Sequence, residues 1–239
     1  MASIDKKSIR GILAIMKMKG YKVYDRPYEL NIVGVRKDSV APNSFDDKMY
    51  VFWKDNDDKW VGKWYTVTTD PGTYYLKVKQ LSDLGTAILK EGQYKDVYKI
   101  GPHGKTGYTA LTQLGGKVTV YRDYNRDAIL DFNNGREEVG YFGINIHRAG
   151  SKGTTKDVGE WSAGCQVFES ADDFADFMSL VQKQKELYGN SFTYTLIDER
   201  AYKRGVRRRL VYLGVVISVL AIGYIAYRKY NKKPIIPKL

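Results

Sequence analysis

The chain has 239 residues, enough for one sizeable domain with short appendages, and 43% of its side chains are hydrophobic. Its net charge is +12, but residues 1–200 carry 29 basic against 27 acidic side chains, and the last 39 residues carry ten basic and no acidic ones. The excess charge is therefore assigned to the tail, which argues against a diffuse nucleic-acid-binding face. The 20 tyrosines, together with many Val, Ile and Thr residues, favour β-structure.

The first predicted element is a short basic amphipathic helix over residues 5–19, because its apolar residues recur at helical spacing. This pattern favours packing against the main domain over a role at a membrane surface. Residues 20–170 then alternate short β-like runs with Gly, Asp and Asn punctuation. The predicted strands are 30–35, 49–53, 60–68, 73–78, 117–122, 139–147 and, closing the domain, 191–197. One clear internal helix is predicted over 171–187.

The last part of the chain has the pattern of a membrane anchor. Residues 210–227 contain no formal charge, and at ~1.5 Å per residue a helix of this length spans about 27 Å, close to the hydrocarbon core of a bilayer. Basic residues flank it on both sides, which disfavours a buried core helix and leaves the orientation open. The predicted organisation is an N-terminal helix (1–20), a main domain (21–197), a basic linker (198–209), a single-pass membrane span (210–227) and a basic tail (228–239).

One cysteine and two histidines are the candidates for chemistry. Cys165 lies in the turn-like run WSAGCQV (161–167), and His147 ends the strand-like run GINIH (143–147). A single thiol cannot form a disulfide within the chain, and a nearby imidazole is the usual way to generate a thiolate at neutral pH. The pattern suggests nucleophilic catalysis, although a lone cysteine is also often a small buried hydrophobic residue.

Such a site needs a group that holds the imidazole and donors for an oxyanion. Asn145 precedes His147 by two residues, so on a strand both side chains point to one face, which makes Asn145 a candidate to orient the ring. Asp157 and Glu160, in the loop between His147 and Cys165, are alternatives. Gly164 permits backbone conformations that other residues resist, so the N–H groups of Gly164 and Cys165 are the natural oxyanion donors. His103 lies in a Gly/Pro loop and is expected to meet solvent or substrate.

The spacing of these residues resembles a known family. His147, fourteen residues and then Ser162-x-Gly-Cys165 is similar to the signature of the L,D-transpeptidase (YkuD-like) catalytic domain, a histidine followed by [S/T]-H-G-C. The turn TTDPGTY (68–74) is similar to the family's T-P-x-G-x-[F/Y] turn, and GYFGINIHRAG (140–150) resembles the segment that carries its histidine. The resemblance covers roughly residues 48–168, with an insertion-like stretch at about 80–116.

The resemblance implies a mainly β, L,D-transpeptidase-like β-sandwich with one or two packed helices, ahead of the C-terminal transmembrane helix. It implies that Cys165 forms a thioester with a peptidoglycan stem peptide, that His147 takes and returns the proton, and that the Arg148 carbonyl orients the ring. Ser162 belongs to the same motif, and no cofactor or metal is implied.

Two positions depart from the family pattern. Ala163 replaces the second histidine, and Val167 replaces an arginine that often follows the cysteine by two residues. These departures put in question which acyl acceptor and which stem peptide the protein uses, more than whether it forms an acyl-thioester. The candidates to hold a stem-peptide carboxylate instead are Gln166, Arg148, Arg122 and His103. Trp161 is expected either to wall the cleft or to be a core aromatic residue.

The expected function is a membrane-anchored cysteine peptidase or transpeptidase that acts on peptidoglycan, with hydrolysis favoured. The run SAGCQV behind GINIHRAG also resembles phage-encoded relatives, which suggests a role in lysis or host invasion at a cell or virion membrane. The alternative is a catalytically silent virion or cell-envelope protein that keeps the fold for structure or binding. A binder of nucleic acid or acidic lipid is disfavoured by the near-neutral charge of residues 1–200.

Overall fold

The computed structural model describes residues 2–105, 107–132 and 136–199. Apart from residues 198 and 199, the predicted linker, membrane span and basic tail lie outside these ranges. Within them, none of the helices combines the length and the apolar character needed to cross a membrane. The described chain is mainly β with two α-helices, so the predicted class of secondary structure is confirmed.

The elements of the described residues follow in chain order. The helices are α1 (Lys6–Met18) and α2 (Ala171–Tyr188). The strands are β1 (Ala2–Ser3), β2 (Asn31–Arg36), β3 (Asp47–Lys54), β4 (Trp60–Thr68), β5 (Thr86–Leu89), β6 (Gly92–His103), β7 (Tyr108–Gln113), β8 (Val118–Asp123), β9 (Glu137–Gly140), β10 (Ile146–Arg148), β11 (Gln166–Phe168) and β12 (Phe192–Asp198).

The larger sheet of the described residues closes on itself. Its order is β1-β4-β11-β10-β7-β6-β12-β2-β3, and β3 also pairs with β4 along its whole length. The β10–β11 and β12–β2 pairs are parallel, while the other pairs are antiparallel. A second sheet has the order β5-β8-β9. Closure pairs the long strands on both sides, which protects their backbone groups from association with other chains.

Alternation along the strands divides the apolar residues between two clusters. Ile32 of β2 lies in the main core, which also receives Phe174 and Phe177 of α2. Its neighbour Val33 points to the opposite face and packs with Ile9 of α1. The prediction that the N-terminal helix packs against the domain is therefore confirmed, and α1 belongs to the same compact unit as the strands.

The structure differs from the predicted strands in two places. Residues 73–78 form a single π-helical turn, Tyr74–Val78, which buries Leu76 in a small cluster with Ile88 and Tyr121. The predicted strand 139–147 is divided between β9 and β10, which belong to different sheets.

The division of strand 139–147 has a local cause. The side-chain Oε1 of Gln113 accepts the backbone N–H groups of Phe142 (3.1 Å) and Ile144 (3.0 Å), in place of a neighbouring strand. Gly143 between them has φ +68°, a conformation that glycine adopts without strain. The insertion-like stretch 80–116 supplies β6 and β7, which lie in the middle of the strand order of the closed sheet.

Candidate active site

The loop that carries Cys165 is built around Gly164. Gly164 has φ +119°, and a Cβ at this position would overlap the backbone carbonyl oxygen of Ala87 in β5. The buried Ser162 hydroxyl accepts the Gly164 N–H (3.1 Å) and donates to the Cys165 carbonyl (2.9 Å), which closes the turn. A glycine is therefore required at position 164, because φ is positive and no space remains for a Cβ atom. The prediction that its N–H stabilises an oxyanion is wrong for this conformation, because that N–H already donates to Ser162.

The turn at residues 68–72 supports this loop from the neighbouring strand. The Gly72 N–H donates to the Ser162 carbonyl (2.9 Å), and a Cβ on Gly72 would overlap the Gly159 carbonyl oxygen. On the other side of the turn, Asp70 forms an ion pair with the fully buried Arg36 (2.8 Å). The two segments that carry the family resemblance therefore touch each other in the fold.

His147 is delivered beside Cys165 by a parallel strand pair. His147 of β10 is in register with Val167 of β11, and the Gln166 N–H donates to the Asn145 carbonyl (2.9 Å). Since side chains alternate along a strand, Cys165 and Val167 face the same side as His147. The two reactive side chains line one cleft, but within the described residues no hydrogen bond joins Sγ to the imidazole.

The imidazole of His147 is held by the carbonyl that the resemblance implies. Its Nδ1 lies 2.8 Å from the Arg148 carbonyl oxygen, and the Tyr108 hydroxyl donates to the same oxygen at 3.2 Å. A carbonyl oxygen only accepts, so Nδ1 carries the proton and Nε2 keeps its lone pair. This tautomer is the one that a general base for a thiol requires.

Asn145 orients the other histidine. Its Oδ1 accepts the backbone N–H of Gln113 (2.8 Å), which fixes the amide so that Nδ2 donates to Nδ1 of His103 (3.0 Å). The His103 ring in turn stacks on His147, with ring centroids 4.0 Å apart. The prediction that Asn145 orients His147 is wrong, since the reversal of chain direction between β6 and β7 brings His103 to the amide instead.

Burial shifts the pKa of both reactive groups towards their neutral forms. It raises the pKa of the Cys165 thiol to about 11, and burial, with the adjacent His103, lowers the pKa of His147 to about 3. The thiol donates to the Gly143 carbonyl (3.3 Å), and Sγ accepts the Asn145 N–H (3.4 Å). Both shifts oppose the thiolate that the sequence suggests. In the described chain the Cys165 N–H has no hydrogen-bond partner, so it remains a candidate oxyanion donor.

Two clefts meet at the cysteine. The histidine cleft, of about 360 Å³, is lined by His103, His147, Lys105, Tyr108, Glu160 and Trp161, among others. The arginine cleft, of about 280 Å³, is lined by Leu81, Ser82, Thr86, Arg122, Phe142 and Ile144, among others. Ala163 and Cys165 line both. A histidine in place of Ala163, as in the family signature, would fill part of this junction.

Three of the predicted substrate-binding residues, Trp161, His103 and Arg122, line a cleft. Trp161 is exposed at the histidine cleft, as expected for a cleft wall, and His103 lines the same cleft. Arg122 lines the arginine cleft, but its guanidinium is bound to Glu138 (2.7 Å) and to the Gly85 carbonyl (3.0 Å).

Gln166 and Arg148 make internal contacts. Gln166 is fully buried, and its amide joins the Tyr194 hydroxyl (2.7 Å) to the Gly164 carbonyl (3.3 Å). The prediction that it binds substrate is wrong, because strand alternation turns it into the core. The Arg148 guanidinium donates to the Gly150 carbonyl (2.6 Å) and lies 4.4 Å from the centroid of the Tyr108 ring.

Tyr108 is the main site residue that sequence reasoning missed. It begins β7 directly opposite His103, at the close of a hairpin whose pairing could be predicted only if residues 80–116 were taken as core strands.

Among the described residues, no group of three or more His, Cys, Asp or Glu side chains is arranged to hold a metal ion. Comparisons of the chain with protein-family models, curated proteins and solved structures find no match.

The resting protonation state has a direct consequence for alkylation. Only the thiolate reacts with iodoacetamide, so we expect the labelling rate of the full chain in detergent to rise about tenfold per pH unit between pH 7 and 10, without a plateau. Intact mass spectrometry measures this rate on the single cysteine. A plateau below pH 8 that disappears in His147→Ala would show a thiolate–imidazolium pair and contradict the neutral assignment.

Proposed function

We propose that the protein is a membrane-anchored, L,D-transpeptidase-like cysteine enzyme that acts on peptidoglycan stem peptides through a Cys165 thioester. One observation carries the proposal. An accessible thiol and an imidazole with a free Nε2 line the same cleft, and an unpaired N–H lies on the nucleophile itself. The substrate class is inferred from the resemblance of the His147 and Cys165 motifs to L,D-transpeptidases, and residues 210–227 are the proposed membrane anchor.

In the proposed acylation, the thiol turns from the Gly143 carbonyl towards His147. Nε2 accepts the thiol proton as Sγ attacks the peptide carbonyl carbon, and the Cys165 N–H stabilises the oxyanion. His147 then gives this proton to the departing amine, and the C–N bond breaks to leave a thioester.

A second nucleophile resolves the thioester. Water, deprotonated by His147, attacks the carbonyl and releases a carboxylic acid together with the regenerated thiol. An amine in the same position forms a new peptide bond instead. We favour water, because the junction that Ala163 leaves between the clefts gives solvent access to Sγ.

Digestion of purified sacculi tests the proposal. The full chain in detergent is incubated with sacculi, and soluble muropeptides are identified by mass spectrometry. Hydrolysis predicts shortened stem peptides or cleaved cross-bridges, whereas transfer predicts new cross-links. Absence of all three products would reject the enzymatic proposal and leave the silent structural or binding protein as the remaining reading.

A further inference from the structure

The excess positive charge of the described part lies in one segment. Residues 6–24 carry six basic side chains and no acidic one, whereas residues 25–199 carry 22 basic against 26 acidic ones. The rest of the excess lies in residues 200–239, with eleven basic side chains and no acidic one. The near-balance over residues 1–200 therefore conceals a basic helix on an acidic domain.

The basic side chains of α1 form one outward face, defined here as the α1 basic face: Lys6, Lys7, Arg10 and Lys17. All four are exposed, and none of them forms an ion pair with another residue of the described chain. The nearest acid, Asp5, is already used as the helix cap through the Ser8 N–H (2.8 Å). The opposite, apolar face is buried against the sheet, so α1 cannot insert that face into a bilayer.

The buried side of α1 lies in the same apolar cluster as Ile197, next to the last residue of β12. In the sequence, the basic and uncharged C-terminal segments follow this strand. The cluster around α1 also includes the half-buried Trp60 and Trp64 of β4. Lys54 and Lys48 lie 5.7 and 4.1 Å from the centroids of these two rings. Tryptophan beside lysine is the combination enriched at membrane–water interfaces.

We propose that the α1 basic face binds the anionic headgroups of a membrane surface. Clusters of basic residues close to a bilayer are attracted to acidic lipids, and the attraction weakens as salt screens it. The contact sets which side of the domain faces the bilayer. It extends the membrane attachment in the proposed function, but it depends on the charge of α1 and not on the anchor.

Lysine footprinting in lipid nanodiscs tests this surface. The full chain is mixed with discs of phosphatidylcholine alone or with phosphatidylglycerol, and lysines are acylated with a water-soluble succinimidyl ester. At low salt we expect Lys6, Lys7 and Lys17 to react about fivefold more slowly with the anionic discs, and this protection to disappear at high salt. The exposed Lys152 and Lys156 are internal controls that should not change.

The outcomes separate this inference from the anchor. If residues 210–227 do not insert, the chain stays out of phosphatidylcholine discs. The eleven basic side chains of residues 200–239 can still bring it to anionic discs, so the protection of the α1 lysines, and not co-migration, decides the proposal. Equal acylation of the three α1 lysines with both disc types, or protection by duplex DNA in place of anionic lipid, would overturn the proposal.

Discussion

Replacement of His147 by glutamine is expected to lower the release of muropeptides by about 10²- to 10⁴-fold, the usual contribution of a positioned general base. Glutamine approximates the size of the ring but cannot accept the thiol proton. Because burial raises the pKa of the Cys165 thiol, we expect little thiolate at neutral pH that could react without the base. The measurement is the initial rate of release from sacculi by the full chain.

His103→Gln is the matched control for this prediction. His103 stacks on His147 and lines the same cleft. Its Nδ1 accepts a hydrogen bond from the Asn145 side chain, whereas Nδ1 of His147 donates to the Arg148 carbonyl. We expect the His103 variant to lose about tenfold or less, as for a residue that contacts substrate without moving the proton. If the His103 variant lost more activity than the His147 variant, the two roles would have to be exchanged.

Gly164→Ala is expected to reduce the free energy of unfolding by about 3 kcal/mol or more. An unfavourable backbone conformation costs about 1–3 kcal/mol, and the new methyl group would also overlap the Ala87 carbonyl oxygen. Urea denaturation followed by tryptophan fluorescence measures the loss. Since β5 has to move to admit the methyl group, the arginine cleft should deform and activity should fall as well.

Gly153→Ala is the control that separates the cost of a positive φ from the cost of overlap with the Ala87 carbonyl oxygen. Gly153 also has a positive φ, +64°, but no atom lies within 4 Å of a Cβ built there. Its replacement is expected to cost about 1 kcal/mol, the strain alone. Equal losses in the two variants would mean that the close approach of the Cys165 loop to β5 does not exist.

The sequence predicted the elements whose apolar pattern matches their burial. The strand 60–68 coincides with β4, and the helix 171–187 is within one residue of α2, whose buried side chains recur at helical spacing. The sequence also pairs His147 with Cys165 at a medium-range spacing, and the two side chains line one cleft. These features depend on local patterns and short-range connections.

The missed features depend on distant segments. The break before β10 is caused by the Gln113 side chain, and the partner of Asn145 is His103, 42 residues away. The raised pKa of the Cys165 thiol depends on how much solvent the fold removes around Sγ, which no local motif encodes. The basic character of α1 was visible in the sequence, but which of its basic side chains are exposed depends on how the helix packs.

The Cys165 sulfur is the proposed nucleophile. Sacculus digestion by the full chain is compared with digestion by its Cys165→Ala variant, and denaturation midpoints show that both proteins are folded. We expect the native chain to release muropeptides and the variant to release none above a buffer control. Equal release by the two proteins would rule out Cys165 as the nucleophile.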